Sequence, residues 1–348
     1  MTYKPALIFL TFLAQAFFSL VLIIITIWGS LALYYQLSES RLITYAAIGL
    51  WVLIALAALS TLWFSDLQNY RKAAFIIFAV VFAVLLIWWH TIKPLLNRDW
   101  APEVSQTVTA EYNGDMVRLD HIRDFDWRTE KDFTTNWKSA DYNLSKIKSV
   151  DLFLSYWSSP AIAHTLVSFG FEDGRQIVFS AEIRKKRGQA FSEIGGFFKD
   201  FELAMIAAEE SDIVYLRTNI RGERVYRYHV DIEPEQARQL FRLYTDTGNR
   251  LSKEAGFYNT LTANCTTVVF DMARILDPSI ALDYRVLLSG YLPEYMFEKQ
   301  LIVTAETNVQ SMRLNADISE QAKGSREGYS QRIRMAMPQP QPQPQAAE

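Results

Sequence analysis

A single cysteine and four histidines are all that 348 residues offer for thiol or imidazole chemistry. One cysteine excludes an internal disulfide, leaves the redox compartment unmarked, and obliges any thiol chemistry to use Cys265. There is no His-Glu-x-x-His pattern and no paired cysteine spacing, so no metal centre and no cofactor are expected. Basic tracts are also scarce. The net charge is −3, and the densest basic run is only Arg184 to Arg187, so nucleic acid is not an expected partner. That run reads as a solvated strand end, with contact to lipid phosphate as its functional alternative. Charge is nearly missing from residues 1–92, whereas the remainder has ordinary globular composition.

The uncharged part contains three runs near the length of about 20 apolar residues needed to cross a bilayer. They extend from Ala6 to Leu33, Leu42 to Phe64 and Ala73 to Trp89. The first exceeds the roughly 7–15-residue apolar core of a signal peptide, so three retained spans are expected. Tyr34, Tyr35, Trp63, Trp88 and Trp89 fall at the ends, where aromatic rings favour the headgroup layer. Flanking charge leaves the orientation tied: Lys4, Arg71 and Lys72 would share one side, Arg41, Lys93 and Arg98 the other.

The expected organisation is a membrane anchor over 1–92, a linker over 93–105, one domain over 106–310 and a polar, disordered tail over 311–348. Asn113-Gly114 between two alternating segments predicts a hairpin. Strands are expected near 151–157, 163–169 and 176–183, the last two joined through the turn at 172–175. Residues 213–217 and 225–230 also alternate like strands. Helices are expected over 192–208, from Pro234 to about Glu254, over 264–276 and over 292–299. The pattern predicts an α+β domain with a mainly antiparallel sheet.

Cys265 is the sharpest chemical feature. Asn264 is a good N-cap, and the periodic Val268, Val269, Met272, Ile275 and Leu276 follow, so the thiol falls in a first helical turn. The positive dipole end and unpaired amides there favour a thiolate. The competing reading is a buried structural cysteine. His164, in an apolar strand, is the expected base: His90 lies at the membrane edge, and His121 and His229 lie in charged or mixed strands. Glu182, nearly opposite His164 in the expected hairpin, would orient the imidazole, or would instead pair with Arg184 or Lys186. Asn264 and Tyr258 are polar candidates for cap, oxyanion donor or pocket wall. Arg184 is a candidate for substrate contact. Arg123 and the Asp126–Arg128 segment read as a structural ion cluster, with a pocket wall as the alternative.

Several blocks together resemble the Lnb-type N-terminal periplasmic domain family over about Asn97 to Tyr295. They are RDWAPE (98–103), RDFDWRTE (123–130), SYW (155–157), AHTLVSF (163–169), EIR (182–184), YNTLTANCTT (258–267) and LSGYLPE (288–294). The resemblance implies lipoprotein N-acyl transfer through a cysteine and a histidine, which map onto Cys265 and His164. The order, histidine on a strand and cysteine later at a helix start, is similar to permuted NlpC-type papain-like hydrolases and the lecithin–retinol acyltransferase group. It implies a multi-pass protein of the bacterial inner membrane with its soluble domain in the periplasm, acting on membrane lipid, lipoprotein or peptidoglycan. The anchor here precedes the domain, whereas the family's namesake carries its membrane part afterwards, so the substrate is open. A cell-wall peptidase or amidase, and a non-catalytic membrane-tethered assembly domain, are the alternatives. Nothing in the sequence sets the oligomeric state.

Overall fold

The computed structural model describes residues 3–335, which form two compact units: residues up to Pro94 with Ser192–Asp200, and Leu95–Phe191 with Phe201 onward. The expected polyproline-like end, residues 336–348, lies outside the described residues.

The first unit is built from α1 (Tyr3–Gln36), α2 (Arg41–Trp63), α3 (Arg71–Thr91) and the short α4 (Glu193–Phe197). Each of the first three is long and apolar enough to cross a membrane. They pack through Trp51, whose ring stacks on Phe78 at 4.8 Å and whose Nε1 donates to the Thr26 carbonyl at 3.0 Å. Gly29 permits this approach: a Cβ there would stand 2.6 Å from the indole nitrogen. Most other apolar side chains on these helices face outward, as a hydrocarbon environment requires. Residues 192–200 close the unit. Tyr35 and Ser192 share a hydroxyl hydrogen bond of 3.0 Å, Gln36 Nε2 donates to the Phe198 carbonyl at 2.8 Å, and Lys199 Nζ donates to the Trp89 carbonyl at 2.7 Å.

The second unit is organised on one sheet. Its strands are β1 (Thr109–Asn113), β2 (Met116–Arg123), β5 (Trp137–Asn143), β6 (Ile147–Tyr156), β7 (His164–Phe171), β8 (Gln176–Arg184), β9 (Glu202–Ala208) and β10 (Arg224–His229). A separate small ribbon pairs β3 (Asp126–Trp127) with β4 (Phe133–Thr134). The main order is β1-β2-β9-β8-β7-β6-β10, with β5 also on β2; every pairing is antiparallel except β2 with β9. Gly114, at φ +63, makes the expected β1–β2 turn. One face of the sheet is covered by α6 (Pro234–Lys253), α7 (Cys265–Leu276), α9 (Leu292–Glu298) and α10 (Val309–Ala316), with Phe169, Phe179 and Phe241 in that core. The other is covered by α5 (Glu210–Tyr215) and α11 (Tyr329–Arg332), around Leu166, Val178, Ile206 and Tyr329. The short α8 (Tyr284–Leu287) joins α7 to α9.

Four expectations are corrected. Residues 192–208 are not one helix: α4 ends at Phe197 and 202–208 is β9, buried at all seven positions. Its alanines suit a helix, but a strand covered on both faces also reads as a continuous apolar run, and tertiary context overrides propensity. Residues 213–217 are helical, in α5 and a π-helical turn over Leu216–Ile220. The linker is part of the second unit from Leu95 onward: Trp100, Ala101 and Val104 are buried, and the Ala101 N–H donates to the Lys185 carbonyl. The tail expected to be disordered from 311 is folded through Met335. It buries Met312, Ile318, Ala322, Tyr329 and Ile333, and Arg334 reaches the buried carboxylates of Asp151 (2.8 Å) and Glu210 (2.7 Å). Arg334→Met leaves both carboxylates short of a cation in a dry interface. It should cost about 3 kcal/mol, the scale of a broken buried pair. A thermal unfolding midpoint equal to that of the wild type would show that the C-terminal segment does not carry this load.

Candidate active site

The constellation forms at one end of the sheet, where β7 begins and the N-terminus of α7 arrives. The β7–β8 register pairs Val167 with Phe179 and Gly170 with Gln176; continued, it sets His164 opposite Glu182. The even-numbered residues of β7 and β8 face α5: Leu166 and Val178 sit in that core, and Ser168 donates to Glu210. His164, Ser180 and Glu182 share this face. His164 Nε2 lies 2.8 Å from Ser180 Oγ and 3.1 Å from Glu182 Oε1, and Ser180 Oγ donates to the same carboxylate oxygen at 2.8 Å. Because the Ser180 proton is spent on Glu182, Nε2 must be the protonated nitrogen, and Nδ1 is left for the thiol.

Cys265 is the first residue of α7 and is partly exposed. Asn264 caps the helix. Its Oδ1 accepts from the Thr266 and Thr267 amides at 2.8 Å each, its own N–H donates to the Thr267 hydroxyl, and its Nδ2 donates to the Thr260 carbonyl at 2.7 Å. Of the roles read for Asn264, the cap is the one seen, and it occupies the Thr266 and Thr267 amides and the Asn264 side chain. The Cys265 N–H is the amide of this turn without an acceptor among the described residues. The turn is tied to β7 by a 2.8 Å hydrogen bond between the Thr165 and Thr266 hydroxyls.

The thiol and the imidazole lie close enough for each to shift the other's titration, and Sγ is 3.8 Å from the Thr266 hydroxyl. Burial works against the thiolate, but the charge and hydrogen bond of His164, then Thr165 and Thr266, hold Cys265 below the ordinary thiol range. Burial and the Arg217 guanidinium work against the imidazolium, but Glu182 and Cys265 outweigh them and raise His164 to about 9. Glu182 is pushed up by burial yet held well below its ordinary value by His164 and then Arg217. At neutral pH these directions favour a thiolate–imidazolium pair braced by a carboxylate.

The structure therefore brings Cys265, His164 and Glu182 together. It commits Arg184 elsewhere: the guanidinium donates to the Val104 and Ser105 carbonyls and lies over the Trp100 ring at 4.7 Å. Tyr258 is half-buried against the main core, on the segment that leads into α7. Arg123 is structural, as read from the sequence. It binds Asp212 at 3.0 Å, and the same carboxylate accepts from the Phe125 N–H and from Trp127 Nε1. Ser180 was missed although it stands two residues before Glu182 on the same strand face. Arg217 was missed because 213–217 reads as a strand. Among the described residues no group of three or more potential metal ligands occurs.

Beside this site, a cavity of about 170 Å³ follows α7 from Thr266 through Val269 and Ala273, with Leu152, Val167 and Met296 opposite. Its lining is mostly apolar and includes Thr266, the residue after Cys265, but neither Cys265 nor His164.

A strand histidine beside a helix-start cysteine, in a chain with three membrane-length helices, defines the class as a membrane-anchored domain in which a cysteine and a histidine meet. Residues 133–291, a span that takes in His164, Glu182 and Cys265, match the model of the Lnb N-terminal periplasmic domain, as the motifs indicated. No curated protein and no solved structure matches the chain.

The paired titration makes a pH prediction. Cys265 is depressed by His164, so alkylation by iodoacetamide should persist as pH falls below the ordinary thiol value of about 8.5. It should fade only when the thiolate itself takes a proton. In His164→Ala the onset should move up toward that ordinary value. An onset unchanged by the substitution, in a rate–pH profile of the full chain in detergent, would mean that the imidazole does not hold the thiolate.

Proposed function

We propose that the protein is a membrane-anchored thiol acyltransferase or amide hydrolase that acts on a lipid, lipoprotein or other cell-envelope substrate. The observation that carries this reading is the shared geometry of Cys265, His164 and Glu182. The Cys265 thiolate attacks an ester or amide carbonyl, forming a C–S bond, while the Cys265 N–H is placed to donate to the developing oxyanion. The carbon–heteroatom bond then breaks, and the proton on His164 Nδ1 passes to the departing oxygen or nitrogen. An acceptor amine, hydroxyl or water gives its proton to His164 and attacks the thioester, releasing Cys265. Glu182 and Ser180 hold Nε2–H throughout, which keeps Nδ1 turned to the thiol.

The cavity favours an acyl chain over a peptide, because its apolar lining would leave peptide polar groups unpaired. Activated esters of a six- to eight-carbon acid should therefore acylate Cys265 faster than acetyl esters. Val269→Trp, which fills the cavity, should abolish that difference while leaving the iodoacetamide rate near that of the wild type. Equal rates for short and longer chains in the wild type would count against the acyl preference. Absence of any acylation, with an unreactive thiol in the folded protein, would return the domain to the assembly reading.

The periplasmic orientation rests on the family match and not on the tied flanking charges. A reporter fused after Glu348 should be active when it is of the kind that works only in the periplasm. Activity of a cytoplasm-only reporter at the same junction would reverse the topology.

A further inference from the structure

We propose that Arg217 is a positioning residue that acts on the thiol through Glu182 and His164, setting how readily the imidazole holds and releases its proton. This inference rests on the reading of Cys265 and His164 as the reacting pair. Arg217 stands in the π-helical turn Leu216–Ile220, a wide-turn geometry that recurs at functional sites. The side chain is buried, yet it lies on no hydrophobic seam of its own. Nη2 is 3.2 Å from Glu182 Oε1, and Nη1 is 3.2 Å from Glu223 Oε2. Glu223 is fixed in turn by the Ser155 hydroxyl at the end of β6, by Arg221 at 3.5 Å, and by its own N–H on the Arg217 carbonyl. The guanidinium is therefore clamped between two carboxylates, one of which touches the imidazole.

The charges show what the clamp accomplishes. Glu182 faces His164 directly from β8, Cys265 faces it from α7, and Arg217 and Glu223 face it from behind Glu182. Arg221 bears on Glu223, and the Arg123–Asp212 pair stands beyond Glu182. When the imidazolium gives up its proton, Glu182 would be left a buried anion opposite a neutral ring. Arg217 keeps it ionised through that step, so the acceptor for Nε2–H survives and the ring stays oriented. At the same time the guanidinium opposes positive charge on the imidazole, so His164 is a better proton donor than Glu182 alone would leave it.

Two substitutions separate this role from a merely structural one, because they move the imidazole in opposite directions. Arg217→Met removes a positive charge and should raise the His164 titration. Glu223→Gln removes a negative charge, leaves Arg217 less compensated, and should lower it. The readout is the pH profile of Cys265 alkylation in the full-length protein in detergent, followed at its high-pH step, where the imidazolium beside the thiolate gives up its proton and the rate changes; His164→Ala, which has no imidazole to titrate, should lack that step. The expected displacement is roughly one pH unit for each variant, the scale exerted by a charge a few ångströms away. Arg217→Lys should fall near the wild type. Displacements of the same sign in Arg217→Met and Glu223→Gln, or no displacement in either, would overturn the proposal. If Arg217→Met does not fold, the sign of Glu223→Gln decides alone: a downward displacement supports the role, and an upward or absent one refutes it. Failure of the underlying reading is separately visible, because the wild-type profile would then show no step that depends on His164.

Discussion

A carboxylate oxygen buried at the end of a sheet must find enough donors to replace water, and Glu182 Oε1 finds three, from His164, Ser180 and Arg217. Each comes from a different element or position: the first residue of β7, the same face of β8, and the turn after α5. Satisfying one oxygen therefore fixes the relation of two strands and a helix end. The Thr165–Thr266 hydrogen bond completes the set by holding the start of α7 against β7. Nothing in this arrangement requires the thiol to be reactive, but all of it determines which imidazole nitrogen the thiol meets.

The parts legible in the sequence are those with local causes. The Asn264 cap is written in the residue type and the apolar period that follows it, and α7 starts at the expected residue. The juxtaposition of His164 and Glu182 follows from a hairpin whose turn residues set the register. The membrane-length helices follow from run length alone. What stayed hidden depends on partners distant in the chain. The 202–208 run carries no sign that both its faces will be covered, and the stretch over 213–217 is helical and buried at every position but Tyr215. Arg334 looks like a tail charge until Asp151 and Glu210 are seen beneath it. Arg217 is invisible to spacing arguments because 35 residues separate it from Glu182.

The N-terminal turn of α7 shows how one local solution limits the chemistry. A helix start is an anion site because its amides are unpaired. Here Asn264 pairs the amides of Thr266 and Thr267, which stabilises the helix and removes them as oxyanion donors. The influences that favour the thiolate come instead from the strand side, from His164 and the Thr165 amide. The cap and the stabilisation of the thiolate thus draw on different groups, so the helix is well capped without opposing the thiolate.

The alternative of an inert core cysteine has to account for the company it keeps. A small thiol in an apolar core needs no histidine, and a fold gains little by burying ions, since hydrophobic replacements of buried pairs are often neutral or stabilising. Yet His164, Glu182, Arg217 and Glu223 form a continuous chain of ion pairs at one sheet end, and Cys265 lies at its outer end beside the imidazole. Cys265 is the partly exposed residue at one end, and Arg217 and Glu223 at the inner end are almost wholly covered. A structural ion cluster such as Arg123–Asp212 closes on itself, with the carboxylate taken up by an arginine, a tryptophan and a backbone amide. The Cys265 chain instead ends on a thiol held below its ordinary range by the imidazole, which in turn feels Glu182 and Arg217. That asymmetry, more than any single contact, weighs the site toward chemistry.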